Sequence, residues 1–201
     1  MQVVFFIAIL IMSVVIHEVS HGYAANLLGD KTAEYEGRLT LNPLKHLDLF
    51  GSIIVPIITS LGGFPFGWAK PVPFNPYNLR YQRFGELIVA IAGPASNILI
   101  AVVFGLLIRF GLGYLPPAFL SISLLVIVIN ISLAIFNLIP IPPLDGSKVL
   151  FGLLPQRFSE IRWHFERYSL FIVFLILVIP AFGIWLNSIV YYLTFLLTGL
   201  H

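Results

Sequence analysis

Cysteine is absent from the 201-residue chain. That excludes a disulfide framework, a thiolate metal site and a cysteine nucleophile. Charge is scarce as well. Asp, Glu, Lys and Arg make up 10% of the residues, while 59% are hydrophobic; soluble domains carry about 25% and about 45–50%. So apolar a chain cannot be disordered, collagen-like or a water-soluble enzyme with an ordinary surface. No basic run is present, and 11 Lys and Arg against 9 Asp and Glu give a net charge of only +2. A nucleic-acid partner is therefore not expected. No positive segment precedes the first apolar run, so it does not read as a signal peptide. What is there in abundance is hydrocarbon, and the length is better counted in membrane spans than in soluble domains.

Segments 2–16, 87–108 and 118–139 hold no formal charge. The second and third reach the ~20 residues a helix needs to cross the hydrocarbon core. The first is long enough only if it continues through His17-Glu18-Val19-Ser20-His21. The stretch 33–42 alternates, with Glu34, Glu36, Arg38 and Thr40 on one side and Ala33, Tyr35, Leu39 and Leu41 on the other. That period predicts a half-buried strand or hairpin, which could also hold an unwound substrate segment by strand addition. Segment 49–63 is apolar but short and contains Pro56, which predicts a re-entrant piece rather than a span. The stretch 168–200, interrupted at Pro180-Ala181-Phe182-Gly183, predicts a tight pair of helices. The expected fold is thus an all-α polytopic membrane protein with about five transmembrane helices, a re-entrant segment and a small membrane-associated β-hairpin. It forms a single domain over 1–201, with a catalytic core over 1–147 and C-terminal helices over 168–200.

Ionisable groups in or near hydrocarbon are costly and usually mark function. His17-Glu18-x-x-His21 sets two imidazoles one turn apart on one helix face. Both can bind one zinc ion, with Glu18 beside the metal to activate water. Packed histidines capping a helix end are the alternative. A catalytic zinc takes a third protein ligand. Of the three aspartates, Asp30 and Asp48 flank the polar stretch, whereas Asp145 follows an apolar span and the prolines of Asn137-Leu-Ile-Pro140-Ile-Pro142-Pro143-Leu144-Asp145-Gly146. Those prolines prevent a continuous helix there. Asp145 is the candidate third ligand, against a plain boundary charge.

Topology offers a separate check. Lys31–Lys45 lies inside by the positive-inside rule, as do Lys148, Arg157, Arg162 and Arg167. The histidines and Asp145 then share the cytoplasmic side only if 49–63 does not cross. Were it to cross, Asp145 would lie ~30 Å away on the other face.

Three motifs, His17-Glu18-Val-Ser-His21-Gly22, Gly93-Pro94-Ala-Ser-Asn97 and Asn137-Leu-Ile-Pro140…Leu144-Asp145-Gly146, occur in this order over residues 17–146. Together they resemble the site-2 protease family of intramembrane zinc metalloproteases (peptidase M50). Gly37-Arg-Leu-Thr-Leu-Asn-Pro-Leu-Lys-His-Leu-Asp48 resembles its compact prokaryotic branch, without room for PDZ or CBS domains. The resemblance implies an intramembrane endopeptidase in a prokaryotic cell membrane, cutting transmembrane protein or peptide substrates near the cytoplasmic side. It implies that His17, His21 and Asp145 bind one zinc ion and that Glu18 is the general base. It places Asn97 and Asn137 near substrate or the oxyanion. An interhelical hydrogen bond is the alternative for Asn97, and satisfaction of backbone freed by proline is the alternative for Asn137. His46 is a candidate partner behind the ligands, or a loop histidine bonded to local backbone. The alternative function is a zinc- or proton-handling membrane transporter built on the same His/Asp cluster. Oligomeric state is not legible.

The topology makes a direct prediction. Reporter fusions at Lys45 and Asn75 should fall on the same face of the membrane; opposite faces would separate Asp145 from the histidines and exclude a shared metal.

Overall fold

The computed structural model describes residues 2–48, 69–155 and 165–200, together with Gly51, Ile54 and Trp163. Among them the helices are α1 (Gln2–Leu27), α2 (Thr32–Tyr35), α3 (Gln82–Gly111), α4 (Pro117–Asn137), α5 (Asp145–Leu153), α6 (Ser169–Val178) and α7 (Pro180–Thr198). Helix is what a charge-free run must form in lipid, because backbone N–H and C=O groups find no water there and pair within their own segment. Proline at the first position starts both α4 and α7, where its missing N–H costs nothing.

Among the described residues four helices, α1, α3, α4 and α7, are long and apolar enough to cross a membrane. Two sequence expectations are corrected here. The first is the count of five. The stretch 168–200 divides at Pro180, and α6 has only 10 residues, about 15 Å of helix against a core of about 30 Å.

The second is the hairpin at 33–42, for no strand occurs among the described residues. Local polar bonding overrides the alternating pattern. Asp30 Oδ1 accepts from both the Thr32 N–H (3.2 Å) and the Thr32 hydroxyl (2.6 Å), an arrangement that favours a turn over an extended ladder. The turn becomes α2, and Arg38 N–H closes it on Ala33 O at 2.9 Å. Burial then runs against the alternation. Arg38 is buried with its guanidinium on Lys70 O and Pro71 O, while Tyr35 is 81% exposed. The re-entrant expectation for 49–63 lies almost wholly outside the described residues. Its flanks are nevertheless joined, because Lys70 N–H donates to His46 O at 2.9 Å.

Helix α3 is the hub, packing against α1, α4, α5 and α7. Ala101 and Ile108 of α3, Ile127 and Ile131 of α4 and Val190 of α7 form one core cluster. A second cluster of Ala25, Leu79 and Val89 holds the end of α1 against the chain entering α3. Asp30 fastens this end. Besides Thr32 it accepts the Asn75 N–H at 2.6 Å and the Asn78 amide at 2.9 Å, tying the exit of α1 to the approach of α3.

Burial works against the Asp30 carboxylate, but these hydrogen bonds outweigh it and hold the group below its ordinary value. A depressed carboxylate stabilises fully above the unfolded value of ~3.9, and that stabilisation is lost as pH falls through the folded value. Asp30→Ala, which strands buried donors, is expected to cost about 1–3 kcal/mol at neutral pH. Thermal unfolding in detergent measures it, and the gap to wild type should narrow once the pH drops below ~4. A gap independent of pH would mean that the charge is not what holds this end.

Candidate active site

His17 and His21 lie on the face of α1 that meets α3, their rings edge to face with centroids 4.6 Å apart. Asp145 is the first residue of α5. It is delivered by the turn of chain that follows α4. Gly146 makes that turn possible, since a Cβ there would collide with the backbone carbonyls of Leu138 and Ile139. All three side chains are buried.

Three atoms converge. His17 Nε2 is 3.0 Å from His21 Nε2, and Asp145 Oδ2 is 3.1 Å from each. The outer ring nitrogens determine what these atoms are. His21 Nδ1 lies 2.6 Å from Val89 O, a carbonyl that can only accept, so Nδ1 carries the proton and Nε2 presents a lone pair. His17 Nδ1 lies 2.6 Å from Asn97 Oδ1, also an acceptor, with the same consequence. Three lone-pair atoms at this separation repel unless a cation lies among them.

The donor set fits zinc. Four-coordinate zinc with N and O ligands at ~2.0–2.2 Å requires ligand atoms roughly 3.3–3.5 Å apart, which a few tenths of an ångström of adjustment supplies. Two imidazoles and one carboxylate leave a fourth position open, as in catalytic rather than structural sites. Space is reserved as well. A Cβ added at Gly93 would press on His21 Nε2 and lie 2.6 Å from His17 Nε2, so α3 exposes bare backbone to the cluster.

The remaining expected residues fall around this triangle. Glu18, on the neighbouring face of α1, accepts the Val72 N–H on Oε2 at 3.0 Å. Asn97 is fully buried with both ends of its amide engaged, Oδ1 at His17 and Nδ2 on Asn130 Oδ1 at 2.8 Å and Ser13 O at 3.4 Å. Asn137, the last residue of α4, is half-buried and donates to Leu133 O of its own helix at 3.0 Å. His46 is buried in its loop with Nε2 on Thr40 O at 2.8 Å, outside the triangle.

Burial opposes the charge on Asp145, and the nearby Lys148 charge favours it. Lys148 Nζ stands 3.6 Å from Asp145 Oδ1. Sequence reasoning passed over Asn130, Ser13, the Val89 carbonyl and the Val72 amide. Asn130 had a signal, an amide inside a charge-free span; the backbone partners had none.

The chain is similar to known proteins named as zinc metalloproteases. The Peptidase family M50 model matches residues 116–180. Two bacterial proteins named as zinc metalloproteases are similar along most of the chain. YwhC of Bacillus subtilis is 39% identical over 181 residues, 87% of this chain and 80% of that protein. Rip2 of Mycolicibacterium smegmatis is 32% identical over 187 residues, 90% of this chain and 70% of that protein. No solved structure matches.

Gly93→Ala tests the reserved space. Alanine favours helix over glycine by about 0.5–1 kcal/mol, so the fold should persist while zinc binding weakens by more than ~10–100-fold, the cost of losing a supporting contact. Metal analysis and thermal unfolding of the same preparation separate the two effects; wild-type zinc content in the variant would show that the space is not needed by the ion.

Proposed function

The chain belongs to peptidase family M50, a family of membrane zinc metalloproteases, and on that premise we propose that it is an intramembrane endopeptidase that cuts transmembrane protein or peptide substrates near the cytoplasmic side. The observation that carries this reading is the convergence of His17 Nε2, His21 Nε2 and Asp145 Oδ2 within 3.0–3.1 Å at the end of α1. Lys31, Lys45 and Lys70 cluster toward this end of α1 in the chain that leaves and re-enters the bundle, which supports a cytoplasmic location. Residues 1–147 form the catalytic core in this assignment, and the C-terminal helices over 168–200 complete a single domain.

His17, His21 and Asp145 would hold the zinc ion, which when bound supplies Lewis acidity to a peptide carbonyl and lowers the pKa of water toward ~7. The other roles belong to the chain itself. Glu18 is anchored through Oε2 by the Val72 amide, leaving Oε1 to take a proton from water and deliver it to the departing amine. Asn97 and the Val89 carbonyl hold the two imidazoles with Nε2 inward. Asn137 closes α4 just ahead of the turn that delivers Asp145, and its half-buried amide is assigned to substrate backbone. A substrate helix must unwind before reaching this buried site, because its own amides are paired.

Glu18→Gln keeps the size of the side chain and removes the base. Zinc content should be unchanged, while cleavage of a single-span substrate in liposomes falls by ~10²–10⁴ or more. Cleavage at the wild-type rate would exclude Glu18 as the base and with it this mechanism.

A further inference from the structure

Three buried polar side chains of the spans, Ser13, Asn130 and Asn97, form a connected line, and only Asn97 touches the metal triangle. Asn130, in the middle of α4, is fully buried. Its Nδ2 donates to Val126 O at 2.9 Å and to the Ser13 hydroxyl at 2.9 Å. Its Oδ1 accepts Asn97 Nδ2 at 2.8 Å, and that same Nδ2 lies 3.4 Å from Ser13 O. Asn97 Oδ1 in turn faces His17 Nδ1 at 2.6 Å.

The direction of this line is not free. Val126 O and Ser13 O are backbone carbonyls and can only accept. Val126 O therefore requires the NH₂ end of Asn130, which turns Oδ1 toward Asn97. Asn97 must answer with its own NH₂ end, a choice Ser13 O reinforces. Its oxygen is then left for His17. An imidazole facing an oxygen at Nδ1 carries its proton there and keeps Nε2 as the ligand atom.

We propose that Asn130, seated by Val126 O and Ser13, is a positioning residue that selects the metal-binding tautomer of His17 through Asn97. The inference rests on His17 being a metal ligand. Without Asn130, the NH₂ of Asn97 loses its main acceptor and the amide is free to turn over. Turned over, it offers N–H groups to His17 Nδ1, which stabilises the tautomer with the proton on Nε2, the form that cannot ligate. His21 needs no such relay, because its Nδ1 meets the Val89 carbonyl directly. One histidine is thus oriented by backbone and the other by a line of three side chains from three transmembrane segments. A purely structural Asn130 would join α1, α3 and α4 without affecting the metal.

The test pairs Asn130→Leu, which removes the acceptor, with Asn130→Asp. In the dry interior the latter takes the neutral carboxyl form and keeps an acceptor for Asn97. The 201-residue chain in detergent is titrated with Zn²⁺ against a chelator of known affinity, and the metal-free proteins are melted in parallel. Asn130→Leu should bind zinc ~10–100-fold more weakly, the range for losing a supporting hydrogen bond, with Asn130→Asp restored to within about threefold of wild type. Unchanged affinity in folded Asn130→Leu, whatever its melting temperature, would overturn the proposal and leave the zinc assignment intact. Wild-type protein that binds no zinc, or a His17→Ala variant of undiminished affinity, would overturn both. ¹⁵N shifts of His17 in the metal-free wild type, at a pH above the imidazole range, read the tautomer without any variant. Protonation at Nδ1 is expected, and protonation at Nε2 would overturn the proposal even if Asn130→Leu does not fold.

Discussion

Everything in this structure depends on one constraint: inside a bilayer no water is available to satisfy a polar group, so each must be satisfied by protein. The constraint makes helices of the apolar runs. It also makes the few polar side chains within them informative, because each needs a named partner. His21 finds Val89 O, while His17 finds Asn97 and, through it, Asn130 and Ser13. The two Nε2 atoms and Asp145 Oδ2 are instead three acceptors turned toward one another. Among the described residues this group of His17, His21 and Asp145 could hold a metal ion.

Two different surfaces of α1 serve the site. His17 and His21 turn toward α3, whose Pro94 loosens the turn before it and whose Gly93 brings backbone close to the cluster. Glu18, on the neighbouring face, meets the extended chain at Lys70–Asn75 through the Val72 amide. That chain is itself tied down by His46 O, the Arg38 guanidinium and Asp30. The histidines and Glu18 are therefore held by separate parts of the fold, the first by α3 and the second by the chain that precedes it. The polar stretch between α1 and α3, which reads as peripheral, anchors Glu18.

The membrane class, three of the four long helices and the pairing of His17 with His21 were legible because each rests on local spacing or on composition. Asp145 was legible by elimination, since the other aspartates lie in polar stretches. The strand at 33–42 failed for an equally physical reason. Alternation records which side chains are polar, but Asp30 imposes a turn, and Arg38 is drawn inward by two carbonyls from a segment more than 30 residues away. The 168–200 stretch misled the count because hydropathy does not measure how much helix survives on either side of Pro180.

By itself the sequence determined that the protein lives in lipid, that two imidazoles and a carboxylate share one helix, and that an aspartate waits beyond a proline-rich turn. These follow from residue type and from the 3.6-residue period, which act over a few positions. Only the tertiary structure decided which nitrogen of each histidine faces inward, that Gly93 keeps the cluster open, and that Asn130 stands behind Asn97. Those depend on atoms separated by up to 128 positions in the chain, such as His17 and Asp145, and on backbone carbonyls that every residue carries alike. Their roles arise from where packing places them rather than from what they are.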